Sequence, residues 1–93
     1  MHNLISIAMC SYNGERFIKE QIDSIIAQTY KNFELIIVDD CSKDNTINII
    51  KEYQSKDLRI KLFQNDNNLG FVKNFEKAIS LCSGDYIALA DQD

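Results

Sequence analysis

The residues best suited to chemistry are acidic and lie in two places. Asp91 and Asp93 are spaced i, i+2 directly after the apolar run 86–90, and Asp39 and Asp40 end another apolar run. Residues two apart in a strand point to the same side, so Asp91 and Asp93 would bring two like charges together. A cation relieves that repulsion, and Mg²⁺ and Mn²⁺ prefer carboxylate and phosphate oxygens. A strand that simply ends in solvent also explains Asp-x-Asp, and the second acidic pair is what favours a ligand.

Such a site needs strand ends that meet, and the hydrophobic pattern predicts them. Short apolar runs indicate strands, and apolar residues at helical spacing indicate helices. The predicted strands are 4–9, 33–38, 59–64 and 86–90, and the predicted helices are 15–28, 46–55 and 70–82. We expect Asn13 to cap the first helix, Gly84 to provide a left-handed stop after the third, and Phe71 and Phe75 to pack in the core.

Alternation of strands and helices predicts the α/β fold class, a three-layer Rossmann-like parallel sheet with helices on both faces. The first strand is the most apolar and the third is half polar, which favours the order 3-2-1-4 with the third strand at an edge. The crevice between strands 1 and 4 is then the topological switch point, where ligands bind. Ser11, Tyr12 and both acidic pairs follow strands, so they should share one rim.

A metal-bound nucleotide fits the chemistry of this rim. Tyr12 could stack on a base, one carboxylate of the Asp39–Asp40 pair could accept a base N–H, and Asp91 could hold ribose. Asp93 could bind a metal ion on a diphosphate, and Lys73 could neutralise phosphate. Neither a glycine-rich dinucleotide fingerprint nor a P-loop is present in the sequence.

Composition narrows the class of protein. The chain has 93 residues, 45% of them hydrophobic, and a formal net charge of −4. It is long enough for one domain, and the acidic balance argues against a nucleic-acid partner. No apolar run reaches the ~20 residues of a membrane span, and the first residues lack the features of a signal peptide. Cys10, Cys41 and Cys82 have no metal-ligand spacing, so we expect reduced thiols in a cytoplasmic protein.

Six segments, in chain order, resemble family 2 glycosyltransferases of the GT-A fold. They are residues 5–14, 24–46, 68–70, Asn74, 83–87 and 91–93. The resemblance covers essentially the whole chain. Asp91-Gln92-Asp93 is similar to the variant seen in many bacterial sugar transferases, rhamnosyltransferase-like ones included. The resemblance therefore identifies the chain as the N-terminal, nucleotide-sugar-binding portion of a GT-A fold.

The resemblance implies a nucleotide-diphosphate-sugar donor, a divalent metal (Mn²⁺ or Mg²⁺) and inverting transfer of the sugar to an acceptor hydroxyl, in bacterial cell-surface polysaccharide synthesis. Asp40 would bond the base, and Asp39 would support the loop or share that role. Cys10 stands where the family more often has Pro or Thr, which is the one departure at the base site. The implied nucleotide-binding residues are Cys10, Ser11, Tyr12, Asp39, Asp40, Lys73 and Asp91, and the implied metal ligands are Asp91 and Asp93.

Members of the resembled family continue well beyond their Asp-x-Asp motif, where their catalytic base and acceptor site lie. Residues 1–93 would then form the donor-binding half, inactive alone, with no catalytic residue assigned. We expect a saccharide or lipid-linked acceptor, a peripheral position at the inner face of the membrane for the longer protein, and self-association through the open sheet edge beside strand 4.

Two other classes of protein remain open. A receiver-like phosphoacceptor domain also gathers carboxylates around Mg²⁺, but it carries its acidic pair after the first strand, where this chain has Cys10-Ser11-Tyr12. A non-catalytic nucleotide-binding or assembly module with a transferase-like fold is the alternative, and the intact acidic sites weigh against it. Nucleotide binding separates an assembly module from a donor site.

Overall fold

The structure is a computed structural model that describes residues 3–90. Its elements alternate strictly between strand and helix, as the sequence predicts. The strands are β1 Ile5–Ser11, β2 Phe33–Asp39, β3 Ile60–Gln64 and β4 Tyr86–Ala90, and the helices are α1 Ile18–Ile26, α2 Thr46–Lys56 and α3 Phe71–Ser80. Asp91 and Asp93 lie outside the described residues.

The four strands form one parallel sheet in the order β3-β2-β1-β4. In this register Ser11 lies beside Asp39 across β1 and β2. Asp39 lies in turn beside Gln64 at the end of β3. The predicted order 3-2-1-4 is confirmed, and the carboxyl ends of the strands form one rim.

Helices cover both faces of the sheet and give it two separate cores. On one face, α1 and α2 pack on the strands through a large apolar cluster. Its buried members are Ile7, Met9, Ile18, Ile22, Ile25, Phe33, Leu35, Ile37, Ile50 and Ile60. On the other face, α3 packs on a smaller cluster of Ala8, Ile36, Val38 and Ala78. Every residue of β2 is buried because it lies inside the sheet with helices on both sides.

The start of α1 differs from the prediction. The helix begins at Ile18, and Phe17 occupies the cap position without a side-chain hydrogen bond. Asn13 is not the cap: it has a left-handed φ of 47°. Its Oδ1 accepts a hydrogen bond from the backbone N–H of Lys43 at 2.8 Å, so it joins two loops. The capping expectation was wrong because a residue 30 positions away competes for the side chain.

The role of Gly84 also differs from the prediction. It does not take a left-handed conformation, which among the described glycines belongs to Gly70, with a φ of 85°. A Cβ at Gly84 would lie 2.7 Å from the carbonyl oxygen of Leu4 and 2.7 Å from the hydroxyl of Ser6. Glycine is required here because the turn before β4 passes directly over β1.

A buried carboxylate ties the amino ends of the strands together. Glu34 accepts hydrogen bonds from the Ser6 hydroxyl at 2.5 Å, the Ser83 backbone N–H at 2.7 Å and hydroxyl at 2.9 Å, and the Lys61 ammonium at 3.0 Å. Burial alone would raise the pKa of Glu34, but these donors outweigh it and lower the pKa to about 2. The ionised carboxylate thus connects β1, β2 and β3 to the turn before β4.

None of the three helices described between residues 3 and 90 is long and apolar enough to cross a membrane.

Candidate functional site

A cavity of about 520 Å³ opens at the carboxyl end of β1, on the face covered by α3. We call it the α3-side cavity. Its lining residues are Cys10, Ser11, Tyr12, Asp40, Asn68, Gly70, Phe71, Asn74, Phe75 and Ala90. Four of the predicted nucleotide-binding residues are therefore brought together, and they come from β1, its following loop and the end of β2.

Asp40 is the carboxylate of the α3-side cavity, and the loop before α3 wraps around it. Its Oδ1 accepts from the Leu69 backbone N–H at 2.7 Å and the Asn65 amide at 3.0 Å, and its Oδ2 accepts from the Gly70 N–H at 3.0 Å. The side-chain amide of Asn68 donates to the Asp40 carbonyl oxygen. Burial alone would raise the pKa of Asp40, but these donors lower it below its usual range, so the carboxylate stays ionised.

Asn65 connects a buried polar cluster beneath the α3-side cavity. Its amide nitrogen donates to Asp40 and also to Asn74 Oδ1 at 2.7 Å, while its Oδ1 accepts from the Lys77 ammonium at 2.7 Å. Asn74 in turn donates to the Val38 carbonyl oxygen at 3.0 Å. Sequence reasoning missed Asn65 and Lys77. The signal for Asn65 was weak, since it is the first of four consecutive polar residues after a strand, 65–68.

Asp39 is only 1% exposed and does not line the α3-side cavity. Its carboxylate accepts from the Ser11 hydroxyl at 2.6 Å, and from the Ser42 backbone N–H at 2.8 Å and hydroxyl at 2.6 Å. These bonds hold the loop after β2 against the end of β1. Of the two roles that the sequence left open for Asp39, the geometry favours support of the loop.

Tyr12 stands between two cavities and is half exposed. The second cavity, of about 600 Å³, lies on the other side of Tyr12 and Ala90 against α1, and we call it the α1-side cavity. Its remaining lining residues are Met9, Asn13, Gly14, Phe17, Glu20, Gln21, Ser24, Ile25 and Gln28. An exposed phenol ring beside a cavity can stack on a planar ligand without first leaving a packed core.

Cys10 and Ser11 form part of the wall of the α3-side cavity. Burial raises the pKa of the Cys10 thiol to about 11, although a hydrogen bond with Asn74 opposes that shift. The thiol is therefore neutral and a poor nucleophile at neutral pH. The Ser11 hydroxyl is committed to Asp39, so Ser11 reaches the cavity only as part of its wall.

The basic residue of the buried cluster is Lys77, whereas the sequence pointed to Lys73. Lys73 is exposed on α3 and does not line the α3-side cavity. Asp91 and Asp93, the predicted ribose and metal residues, fall outside the described residues. Within residues 3–90 no group of three or more His, Cys, Asp or Glu side chains is arranged to hold a metal ion.

Phe71 and Phe75 correct another expectation. Their rings contact edge to face, with centroids 5.0 Å apart, and both line the α3-side cavity. Phe71 is 68% exposed, so its assignment to the core was wrong. Helical spacing predicted that the two rings share a face of α3, but they lie in its first half, where they border the cavity.

Comparison with known sequences matches nearly the whole chain. Residues 6–93 match the family model described as Glycosyl transferase family 2. An uncharacterised glycosyltransferase of Haemophilus influenzae is 42% identical over 90 residues, 97% of this chain and 28% of that protein. WfgD of Escherichia coli, described as a UDP-Glc:alpha-D-GlcNAc-diphosphoundecaprenol beta-1,3-glucosyltransferase, is 42% identical over 97% of this chain and 35% of its own length. The chain thus spans about a third of these relatives.

Comparison with solved structures identifies the fold. A crystal structure of S. aureus TarS, residues 1–349, in complex with UDP superposes with a TM-score of 0.86 at 33% identity. It covers 96% of this chain and 27% of TarS. The expected fold class, the N-terminal portion of a GT-A fold, is confirmed, and a receiver-like domain is not supported.

Proposed function

The chain belongs to glycosyl transferase family 2, and from that premise we propose that it binds a nucleotide-diphosphate-sugar donor for transfer of the sugar, with inversion, to an acceptor hydroxyl. The observation that carries the proposal is the α3-side cavity at the carboxyl end of β1. Its lining combines an exposed aromatic ring, Tyr12, with an ionised carboxylate, Asp40. A ring to stack on and an acceptor for N–H are what a nucleobase needs.

Each cavity residue has a role in this proposal. Tyr12 stacks on the base, and Asp40 accepts a base N–H. Cys10 and Ser11 form the wall against which the base lies, and Asp39 holds that wall in place through Ser11. The complex of TarS with UDP supports a nucleotide ligand for this fold and family.

We propose that Asp91 and Asp93 hold a divalent metal ion, Mn²⁺ or Mg²⁺. Both side chains supply the hard carboxylate oxygens that these ions prefer. When bound, such an ion neutralises charge on the diphosphate leaving group. Asp91 would also contact the ribose, and Lys73 would add positive charge near the phosphates.

The 93 residues would supply donor binding without turnover. Inverting transfer needs a carboxylate that removes the proton of the acceptor hydroxyl. Among the described residues the carboxylate that lines the α3-side cavity is Asp40, which the loop before α3 already engages. The catalytic base and the acceptor site would therefore belong to parts of the longer relatives that this chain does not match.

The acceptor we propose is a saccharide or a lipid-linked saccharide of bacterial cell-surface polysaccharide. The described activity of WfgD, which uses a diphosphoundecaprenol-linked acceptor, supports a lipid-linked one. Such an acceptor would keep the full-length protein in the cytoplasm, peripheral to the inner face of the membrane. A non-catalytic assembly module is the competing function, and it has no need of a nucleotide.

Calorimetric titration of the chain with UDP, dTDP and GDP, each with and without Mn²⁺, tests the donor site. We expect metal-dependent binding and stabilisation of about 2.7 kcal/mol at a hundredfold excess of ligand over Kd. Tyr12→Ala should weaken binding about tenfold or more through lost stacking, and Tyr12→Phe should keep it. Phe17→Ala, in the α1-side cavity, is the matched control. Absence of binding by all three nucleotides would favour the non-catalytic assembly module.

A further inference from the structure

We infer that Phe71 is a second aromatic contact for the nucleobase, so that the base lies between the rings of Phe71 and Tyr12 in the α3-side cavity. The inference rests on the proposed function and deepens it, because it gives a base-binding role to a residue of α3 that the sequence pattern had placed in the core.

The exposed ring of Phe71 borders the cavity at the start of α3. Phe75 and Ala78 follow Phe71 at helical spacing on the same face of the helix, and Ala78 is fully buried against the sheet. Phe71 itself is 68% exposed and lines the α3-side cavity. The apolar face of α3 therefore becomes open toward its first turn, where a ligand in the cavity would cover the ring and gain from its burial.

Two contacts hold this ring in place. The Phe75 ring meets it edge to face, with the centroids 5.0 Å apart and the planes at 77°. Phe71 also follows Gly70 directly in the chain, and the Gly70 N–H donates to Asp40 Oδ2 at 3.0 Å. The start of α3 is thus fastened to the carboxylate of the cavity. A ring that is already positioned loses less side-chain freedom when a ligand binds.

Phe71 and Tyr12 belong to different walls of the α3-side cavity. Tyr12 comes from the loop after β1 and also lines the α1-side cavity, so it stands on the side of the cavity that is nearer to α1. Phe71 comes from α3. The cavity of about 520 Å³ is large enough to admit a planar ring system. A base between the two walls would use both of its faces, one for each aromatic ring.

Charge indicates which part of the nucleotide lies beside Phe71. Asp40 is an ionised carboxylate that lines the same cavity. Among the lining residues that the structure describes, none is a lysine or an arginine. A diphosphate placed there would face a like charge without a cation, whereas a base is uncharged and planar. The base therefore fits this cavity, and the phosphates extend away from it.

Substitutions at Phe71 test the inference by calorimetric titration with UDP in the presence of Mn²⁺. We expect Phe71→Ala to weaken binding about tenfold or more, and Phe71→Leu to weaken it similarly, because leucine has no aromatic face. Phe71→Tyr keeps the ring and should bind within a few-fold of the unaltered chain. Val72→Ala is the matched control, since Val72 is also 68% exposed but does not line the cavity. Thermal melts verify that each variant is folded.

A second ligand locates the contact on the nucleotide. UDP-GlcNAc is titrated beside UDP, and Phe71→Ala should lose affinity by the same factor for both. A loss confined to UDP-GlcNAc would place the ring at the sugar and overturn the inference. Unchanged binding of UDP by Phe71→Ala, together with weakened binding by Tyr12→Ala, would overturn the inference and leave the proposed function standing. If the unaltered chain bound neither ligand, both would fall.

Nuclear magnetic resonance tests the same contact without any substitution. The chain has 93 residues, a size at which contacts between ligand and side-chain protons are readily measured. In a complex saturated with UDP and Mg²⁺, we expect nuclear Overhauser effects from the uracil H5 and H6 protons to the rings of both Phe71 and Tyr12. Effects to Tyr12 without any to Phe71 would contradict the inference, even if Phe71→Ala did not fold.

Discussion

Asp39 and Asp40 are neighbours in the chain, yet their carboxylates bind loops on opposite sides of the sheet. Asp39 accepts from Ser11 and Ser42, at the ends of β1 and β2. Asp40 accepts from the backbone of Leu69 and Gly70, at the start of α3. The alternation of side chains along a strand produces this division. One acidic pair therefore holds two loops, and its second member also lines the α3-side cavity.

This division predicts different results for Asp39→Asn and Asp40→Asn. Asp40→Asn places an amide nitrogen against a backbone N–H in either orientation, so it should lower the unfolding free energy by about 1–3 kcal/mol. In Asp39→Asn the amide oxygen can still accept from the Ser42 N–H while the amide nitrogen donates to the serine hydroxyls, so the loss should be about 1 kcal/mol or less. Asp40→Asn should also weaken nucleotide binding about tenfold or more, because the base loses its charged acceptor. Asp39→Asn should bind within a few-fold of the unaltered chain. Thermal melts and calorimetry measure both effects, and an equal loss of affinity in the two variants would give Asp39 a share of the base contact.

Glu34 predicts how stability depends on pH. Its pKa is lowered from 4.5 to about 2 in the folded chain, so the folded state binds this proton less readily than the unfolded state. The stabilisation is fully present above pH 4.5 and is lost as the pH falls toward 2. Chemical denaturation across this range should show the unfolding free energy falling as the solution becomes more acidic.

Glu34→Gln isolates the contribution of Glu34 to this dependence of the unfolding free energy on pH. The variant should be less stable at pH 7 by about 1–3 kcal/mol, because Lys61 and the Ser83 N–H lose a charged acceptor. Its unfolding free energy should change less between pH 4.5 and pH 2 than that of the unaltered chain. Glu52→Gln, which breaks the exposed pair with Lys56, is the control and should change stability by less than about 0.5 kcal/mol. If the unfolding free energy of Glu34→Gln fell as steeply between pH 4.5 and pH 2 as that of the unaltered chain, other groups would be responsible for the loss of stability in acid.

An added methyl group should lower the unfolding free energy at Gly84 and at Gly70, for different physical reasons. In Gly84→Ala the new Cβ would meet the Leu4 carbonyl oxygen at 2.7 Å and the Ser6 backbone nitrogen at 2.8 Å, so backbone must move. We expect a loss of about 1–3 kcal/mol from overpacking. Gly70→Ala has open space, but its φ of 85° and ψ of 166° are a backbone conformation that is essentially restricted to glycine, so its cost should be about 1–3 kcal/mol from backbone strain. Denaturant unfolding measures both losses, and an unchanged stability of Gly84→Ala would contradict the close approach at Gly84.

The outer edge of β4 predicts self-association. Within the described residues β4 pairs with β1 alone, and three of its large apolar side chains are exposed: Tyr86, Ile87 and Leu89. An open apolar edge is a template for pairing with a second copy. We expect sedimentation velocity to show concentration-dependent dimers, which Leu89→Lys should weaken and Leu58→Lys, at an exposed residue between α2 and β3, should not. A monomer at high concentration would contradict the prediction.

Much of this molecule follows from its sequence. Apolar runs and helical spacing determined the number, type and order of the elements, because hydrophobic periodicity records which face each element buries. The half-polar third strand placed β3 at the edge, and the polar residues after each strand placed Cys10, Ser11, Tyr12 and Asp40 on one rim. The resemblance to family 2 glycosyltransferases came from the same stretches, and the family match confirmed it.

The tertiary structure decided which polar atoms meet. Asn65 joins Asp40 across 25 residues and Lys77 across 12, so neither partner can be inferred from local spacing. The close approach at Gly84 and the bond from Lys43 to Asn13 are likewise products of packing. A sequence indicates which side chains can accept or donate, whereas only the fold determines which of them are already occupied. For Asp40, the fold has already engaged the carboxylate with the loop before α3.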